Sequence, residues 1–194
     1  KICKLFKQKN TSNKKKDTLI EEAYYCLTNE KTLSIAISTM IDKEIELIKT
    51  IINNKNNIIY KEDYYYLYNL GIISIYEKDN NKYITITNDI YNTIKNINLD
   101  KFNTIIEENS KIYYLLKSML ELYGIISLED LEQEYIKYYS NSNNKKDLIN
   151  PVYYTSRLDR IESIKIKNKI YYVNRILTTE YFEDILFNII NNHN

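Results

Sequence analysis

Displaced by 67 positions, Ile45–Asp63 falls on Ile112–Asp130 without a gap. Ile45 meets Ile112, Ile48 meets Leu115, Ile52 meets Met119, and NIIYKED (57–63) meets GIISLED (124–130). In each copy the apolar residues, at 45, 48 and 52 or at 112, 115, 116 and 119, keep the i, i+3, i+4 spacing of an amphipathic helix. A short extended Ile-Ile follows, then the polar start of a further helix. Ser127 is a suitable N-cap there, and Asp130 suits the positive end of the helix. Gly124 fits the left-handed position that ends the preceding helix, and Asn57 takes that place in the first copy.

A second displacement, 91, then sets Leu67, Leu70, Ile73 and Ile75 on Leu158, Ile161, Ile164 and Ile166. Each series reads as a helix end running into an alternating strand. ISIYEKDNNKYITIT is a strand, a polar tip at Asp79-Asn80-Asn81, and a second strand; SIKIKNKIYYV repeats this with a tighter turn at Asn168. Gly71 then stands between a helix and a hairpin, opposite Glu162 in the other copy, so the shared Gly-Ile-Ile-Ser marks two different junctions. The change of displacement implies 24 additional residues in the second copy, from Leu131 to Tyr154, with the helix LEDLEQEYIKYY and the loop SNSNNKKDLINP. Helix, short strand, helix, loop, helix, hairpin is the order of a winged helix. The first copy lacks the middle helix or fuses it with the third.

The expected fold is α+β, mostly helical, with two winged-helix-like modules carrying short β-hairpins and flanked by helices. The expected layout is a basic flexible arm at 1–17, helical bracing at 18–41, the first module at 42–99 and a linker helix at 100–110. The second module spans 111–175, and a C-terminal helix and tail fill 176–194.

The pattern of LIKTIINNKNNIIYKEDYYYLYNLGIISIYEKDNNKYITIT and KNKIYYVNRILTTEYFEDILFNII resembles uncharacterised proteins of low-GC Gram-positive bacteria. These carry a winged-helix-like region before a cysteine-rich SEC-C metal motif. The likeness covers most of residues 42–190 and is one of pattern. This sequence has no cysteine cluster after Ile190, so metal binding is not implied and no site residue is transferred.

Charge and composition narrow the function classes. Residues 1–16 hold seven Lys and no acid, while 20 bases face 26 acids from Asp17 onward. Such an arm reads as solvated and able to attract nucleic acid or an anionic membrane. No apolar run approaches a membrane span, and the arm has too few apolar residues for a signal peptide, so a cytoplasmic protein is expected. Cys3 and Cys26 form no metal-ligand spacing and read as free thiols. The 21 Tyr against 4 Phe, with Ile, Asn and Lys, follow AT-rich codons as much as any need for aromatic rings.

Catalytic constellations are thin. The single His is His193, the two glycines are 53 residues apart, and neighbouring acids such as Glu21/Glu22, Glu107/Glu108 and Glu129/Asp130 diverge on a helix. Most of these pairs read as first-turn residues complementing the dipole. The sequence reads as a non-enzyme without cofactor or metal.

The chain's three arginines, Arg157, Arg160 and Arg175, all fall in or beside the second module. On VYYTSRLDRI, Tyr153, Arg157 and Arg160 share a helical face with Ser156 at its edge. Lys165, Lys167 and Lys169 follow at alternate positions, which reads as one face of the hairpin. Guanidinium forks suit guanine or phosphate, and lysines on a wing suit the backbone of double-stranded DNA. The same residues also describe a solvated face that protects an edge strand. A protein partner is the alternative. In that reading the acidic body and the tyrosines Tyr64, Tyr65 and Tyr68 of the first module would meet another protein, as an adaptor or an inhibitor of a nucleic-acid-processing machine.

Overall fold

The computed structural model describes residues 14–53, 58–61, 64–139, 161–174 and 187–188. The chain divides into two compact units, Lys1–Lys111 and Ile112–Asn194. Among the described residues helix predominates, accompanied by two antiparallel three-stranded sheets.

The first unit opens with helices α1 (Lys16–Thr28), α2 (Glu30–Ile37) and α3 (Asp42–Asn53). Asn29 separates the first two: its side chain accepts from the Lys31 and Thr32 N–H groups at 3.1 and 3.2 Å, two donors that the new helix cannot satisfy itself. At the start of α3 the Glu44 carboxylate reaches back to accept the N–H of Ile41 at 2.9 Å. This is the returning half of a capping box, with Glu44 almost fully buried. Strand β1 (Ile58–Ile59), helix α4 (Tyr65–Leu70), and strands β2 (Ser74–Lys78) and β3 (Asn81–Thr85) follow, then α5 (Asn88–Asn96). Between β1 and β2 the described residues thus hold a single helix, as the shorter first copy requires.

The core of this unit gathers Leu33, Ile37 and Met40 with Ile45, Ile48 and Ile51 of α3 and Tyr66, Leu67 and Leu70 of α4. Ile72, Ile73, Ile84, Ile90 and Ile94 close it from the other side. A 3-10 turn, Leu99–Phe102, leads into α6 (Asn103–Tyr123), within which the unit boundary falls. Near its start, Asn109 donates to the carbonyls of Ser38 and Met40, and the Ser110 hydroxyl accepts the Asp42 N–H at 2.8 Å. These bonds satisfy backbone groups where α2 ends and α3 begins.

In the second unit α6 buries Ile112, Tyr113, Leu116 and Leu120, a stripe at helical spacing. Strand β4 (Ile125–Ser127) and helix α7 (Leu128–Tyr139) come next, then β5 (Ile161–Ile166) and β6 (Lys169–Asn174). Ser127 caps α7: its Oγ accepts the Asp130 N–H at 3.0 Å and donates to the Asp130 carboxylate at 2.6 Å. Leu131 and Tyr135 of α7 pack inward, and so do Tyr172 and Val173. Both of these consecutive strand residues are fully buried, so both faces of β6 are covered there.

The two sheets share one order, β1-β3-β2 and β4-β6-β5: the last strand runs between the first and second. Both hairpins close through two left-handed residues, Asp79-Asn80 and Lys167-Asn168. Those φ values are the signature of a two-residue turn matched to strand twist. The tip expected at Asp79-Asn80-Asn81 is therefore one residue shorter, and the two turns are equally tight. Aligned on these turns the hairpins stand 88 positions apart, not 91. On the same alignment Ile58, opposite Ile84, corresponds to Ile126, opposite Tyr172, a displacement of 68. The second copy is thus longer by 20 residues rather than 24. Glu162 is an interior strand residue opposite Val173 and not the counterpart of Gly71. Isoleucine-rich strands match one another at several displacements, so the sequence cannot fix this register.

Gly71 and Gly124 both end helices in the left-handed region, with φ of 78° and 74°. They occupy different junctions but perform the same backbone task, one that a side chain would hinder.

Candidate nucleic-acid interface

The second unit's hairpin carries the basic residues that sequence reasoning assigns to a wing. Lys165, Lys167 and Lys169 are all exposed. They do not share one face. Lys165 lies opposite Ile170, and Lys169 lies opposite Ile166, so the two lysines project from opposite sides of the ribbon. Alternation holds only along one strand, and the two-residue turn shifts its parity between strands. Lys169 stands 3.9 Å from Glu129 on α7, which offsets its charge. Lys167 occupies the tip with φ of 46°, a conformation that Asn, Asp or Gly adopts at lower cost than Lys. A long cation is thus held at the turn of the hairpin, where it is exposed and lines a groove of the second unit.

Tyr153, Ser156, Arg157 and Arg160 lie outside the described residues, as does Arg175. Of the tyrosines assigned to a protein partner, Tyr68 is exposed, Tyr64 packs against the first unit's core and Tyr65 is half-buried. The intervening Tyr66 is buried, and its hydroxyl pairs with that of Thr39 at 2.8 Å. The run of three therefore mixes core and surface positions.

Sequence reasoning missed a groove of about 1310 Å³ in the second unit. One wall is the outer stripe of α6, with Leu115, Met119 and Leu122; the others come from α7, β4 and the hairpin. Leu122, Tyr123 and Tyr138 are strongly exposed along it. Ion pairs line the edge: Lys137 reaches Glu134 at 3.3 Å and stands 5.2 Å from the centre of the Tyr138 ring. The hydrogen bond from Lys137 to Glu134, with that carboxylate's charge, raises the ammonium pKa above its ordinary value. The signal for the groove was in the sequence: Leu115 and Met119 form a second apolar stripe beside 112, 116 and 120, wider than one core face needs.

Of the acid pairs, Glu129/Asp130 sits in a first turn, as expected, but Glu21/Glu22 and Glu107/Glu108 lie inside α1 and α6. Among the described residues no group of three or more His, Cys, Asp or Glu side chains converges, and no helix is long and apolar enough to cross a membrane.

The fold and hairpin define an α+β protein with two like-ordered units, one of which presents cations at a tight turn. Comparison with family models, curated proteins and solved structures found no match, so the pattern likeness to SEC-C-motif proteins rests on the sequence alone.

Proposed function

We propose that this chain is a non-enzymatic nucleic-acid-binding protein made of two winged-helix-like modules, with the second module meeting double-stranded DNA. The observation that carries this reading is the order of elements common to the described residues of both units: a helix, a strand and a helix, and a hairpin whose last strand sits between the other two. In that arrangement the hairpin is the wing, and a wing touches phosphate backbone or minor groove. Lys167 at the tip and Lys165 beside it are the wing contacts. Arg157 and Arg160, with Tyr153 and Ser156, are assigned to base or phosphate contact by the sequence pattern. Lys169 contributes less because Glu129 stands beside it.

The test is binding of the purified chain to random-sequence duplex DNA from about 50 to 200 mM salt, where phosphate contacts make affinity fall steeply. An Arg157→Ala/Arg160→Ala variant and a Lys165→Gln/Lys167→Gln variant run beside it. Affinity is expected to drop in both, and each lost phosphate contact lowers the salt slope by about 0.9. No binding at the lowest salt, or unchanged affinity in both variants, refutes the reading.

One observation favours a second reading. Leu122, Tyr123 and Tyr138 form an exposed apolar edge along the groove, the composition of a protein-binding surface. A stoichiometric protein partner lost on Leu122→Glu would support it.

A further inference from the structure

The solvent face of the first unit's sheet differs from its counterpart. In the second unit, burial of both Tyr172 and Val173 covers the two faces of the central strand. In the first unit one face packs on the core through Ile84, and the other stays open. Across that open face runs one row contributed by all three strands: Ile59 pairs with Tyr83, and Tyr83 pairs with Tyr76. The two rings stack with centroids 5.5 Å apart and planes 26° apart. Ile59 and Tyr76 are 56% and 39% exposed.

Among the described strand positions of this face, charge has one sign. Lys78 lies two residues from Tyr76 on β2, so the two share a face. Lys61 lies two residues beyond Ile59, where the Tyr60 N–H still bonds the Lys82 carbonyl at 2.8 Å. Both lysines are exposed, and neither joins an ion pair among the described residues. The other strand positions on the face, Ser74, Asn81 and Thr85, are uncharged. Glu77 points to the opposite face with Lys82.

We propose that this face binds single-stranded nucleic acid, with an unpaired base extending the Tyr76–Tyr83 stack and Lys61 and Lys78 contacting the flanking phosphates. Every base has a π face, so stacking of this kind tolerates sequence, while the cations track the backbone. A duplex keeps its bases inside the helix and cannot use the platform. This site is separate from the second unit's hairpin and does not depend on it. Single-stranded DNA and RNA share the required chemistry, and the experiment separates them.

The test titrates the full chain with fluorescein-labelled dT15, with rU15 and with a 15-base-pair duplex at low salt. The variants are Tyr76→Leu/Tyr83→Leu, which removes the π faces but keeps apolar side chains, and Lys61→Gln/Lys78→Gln. The aromatic variant is expected to weaken single-strand binding at least about tenfold while leaving duplex binding unchanged. The lysine variant is expected to lower the salt slope by roughly 1.4, the value for two single-strand phosphate contacts. Because the Tyr pair also supports the hairpin, the unaltered protein is in parallel photo-crosslinked to an oligonucleotide containing 5-iodouracil. The crosslink is expected on Tyr76 or Tyr83. Absence of single-strand binding, crosslinks confined to other segments, or full affinity in a folded aromatic variant would overturn the proposal. Preference for dT15 or rU15 would assign the natural ligand to DNA or RNA.

Discussion

Replacing Glu44 tests the packing logic of the first unit most directly. Its side chain is 1% exposed, and its carboxylate accepts the N–H of Ile41, itself buried, at 2.9 Å. A hydrogen bond to a charged acceptor contributes about 1.5–3 kcal/mol, and a carboxylate in the first turn gains roughly 0.3–1 kcal/mol from the helix dipole. Removing the side chain also relieves the carboxylate's desolvation, which offsets part of that loss. Glu44→Ala should therefore cost about 2 kcal/mol, or roughly 8–16 °C in the melting of a unit this size. Glu44→Gln keeps an acceptor oxygen while losing the charge, and should cost about half as much. Urea unfolding followed by far-UV circular dichroism gives the totals, and native-state hydrogen exchange at the Ile41 amide localises them. Equal stability of the Ala variant and the parent, or a Gln variant less stable than Ala, would refute the assignment of this carboxylate as a cap.

Three further outcomes follow from geometry already described. Ser127→Ala removes the acceptor for the Asp130 N–H and should destabilise the second unit by about 1 kcal/mol, whereas Ser127→Gly costs less, as measured by chemical denaturation. The Tyr24 hydroxyl donates to Asp89 at 3.0 Å, and that hydrogen bond, then the carboxylate's charge, raises the phenol pKa above 10.0. Its stabilising contribution is therefore complete below that pH and lost as pH rises through the raised value; Asp89→Asn should return the phenol to its ordinary titration by NMR. Lys167→Gly relieves a left-handed lysine and should stabilise the hairpin by about 1 kcal/mol in a thermal melt, yet weaken duplex DNA binding.

Much of the fold was legible because its signals are local. Ser127 followed by Asp130 named a helix start, and the structure places a capped helix there, Leu128–Tyr139. The helix–strand–helix order came from the change of apolar period from 3.6 to 2. What escaped depends on how strands pair. Placing the first tip at three residues hid that Tyr76 and Tyr83 stand equidistant from Asp79-Asn80, which makes them cross-strand neighbours. The same parity put Lys165 and Lys169 on opposite faces. Glu44 was unreadable as a core residue because a glutamate in a first turn usually faces solvent, whereas here it turns inward to accept the buried Ile41 N–H.

The two hairpin tips share a backbone but not a charge. Asp79 and Lys167 occupy the same turn position, with φ of 51° and 46°, and each is followed by a left-handed asparagine. The two turns therefore present opposite charges on one backbone conformation. Exchanging the two residues leaves the composition and net charge untouched, so any change in ligand preference between the units would trace the division of labour to one pair of codons.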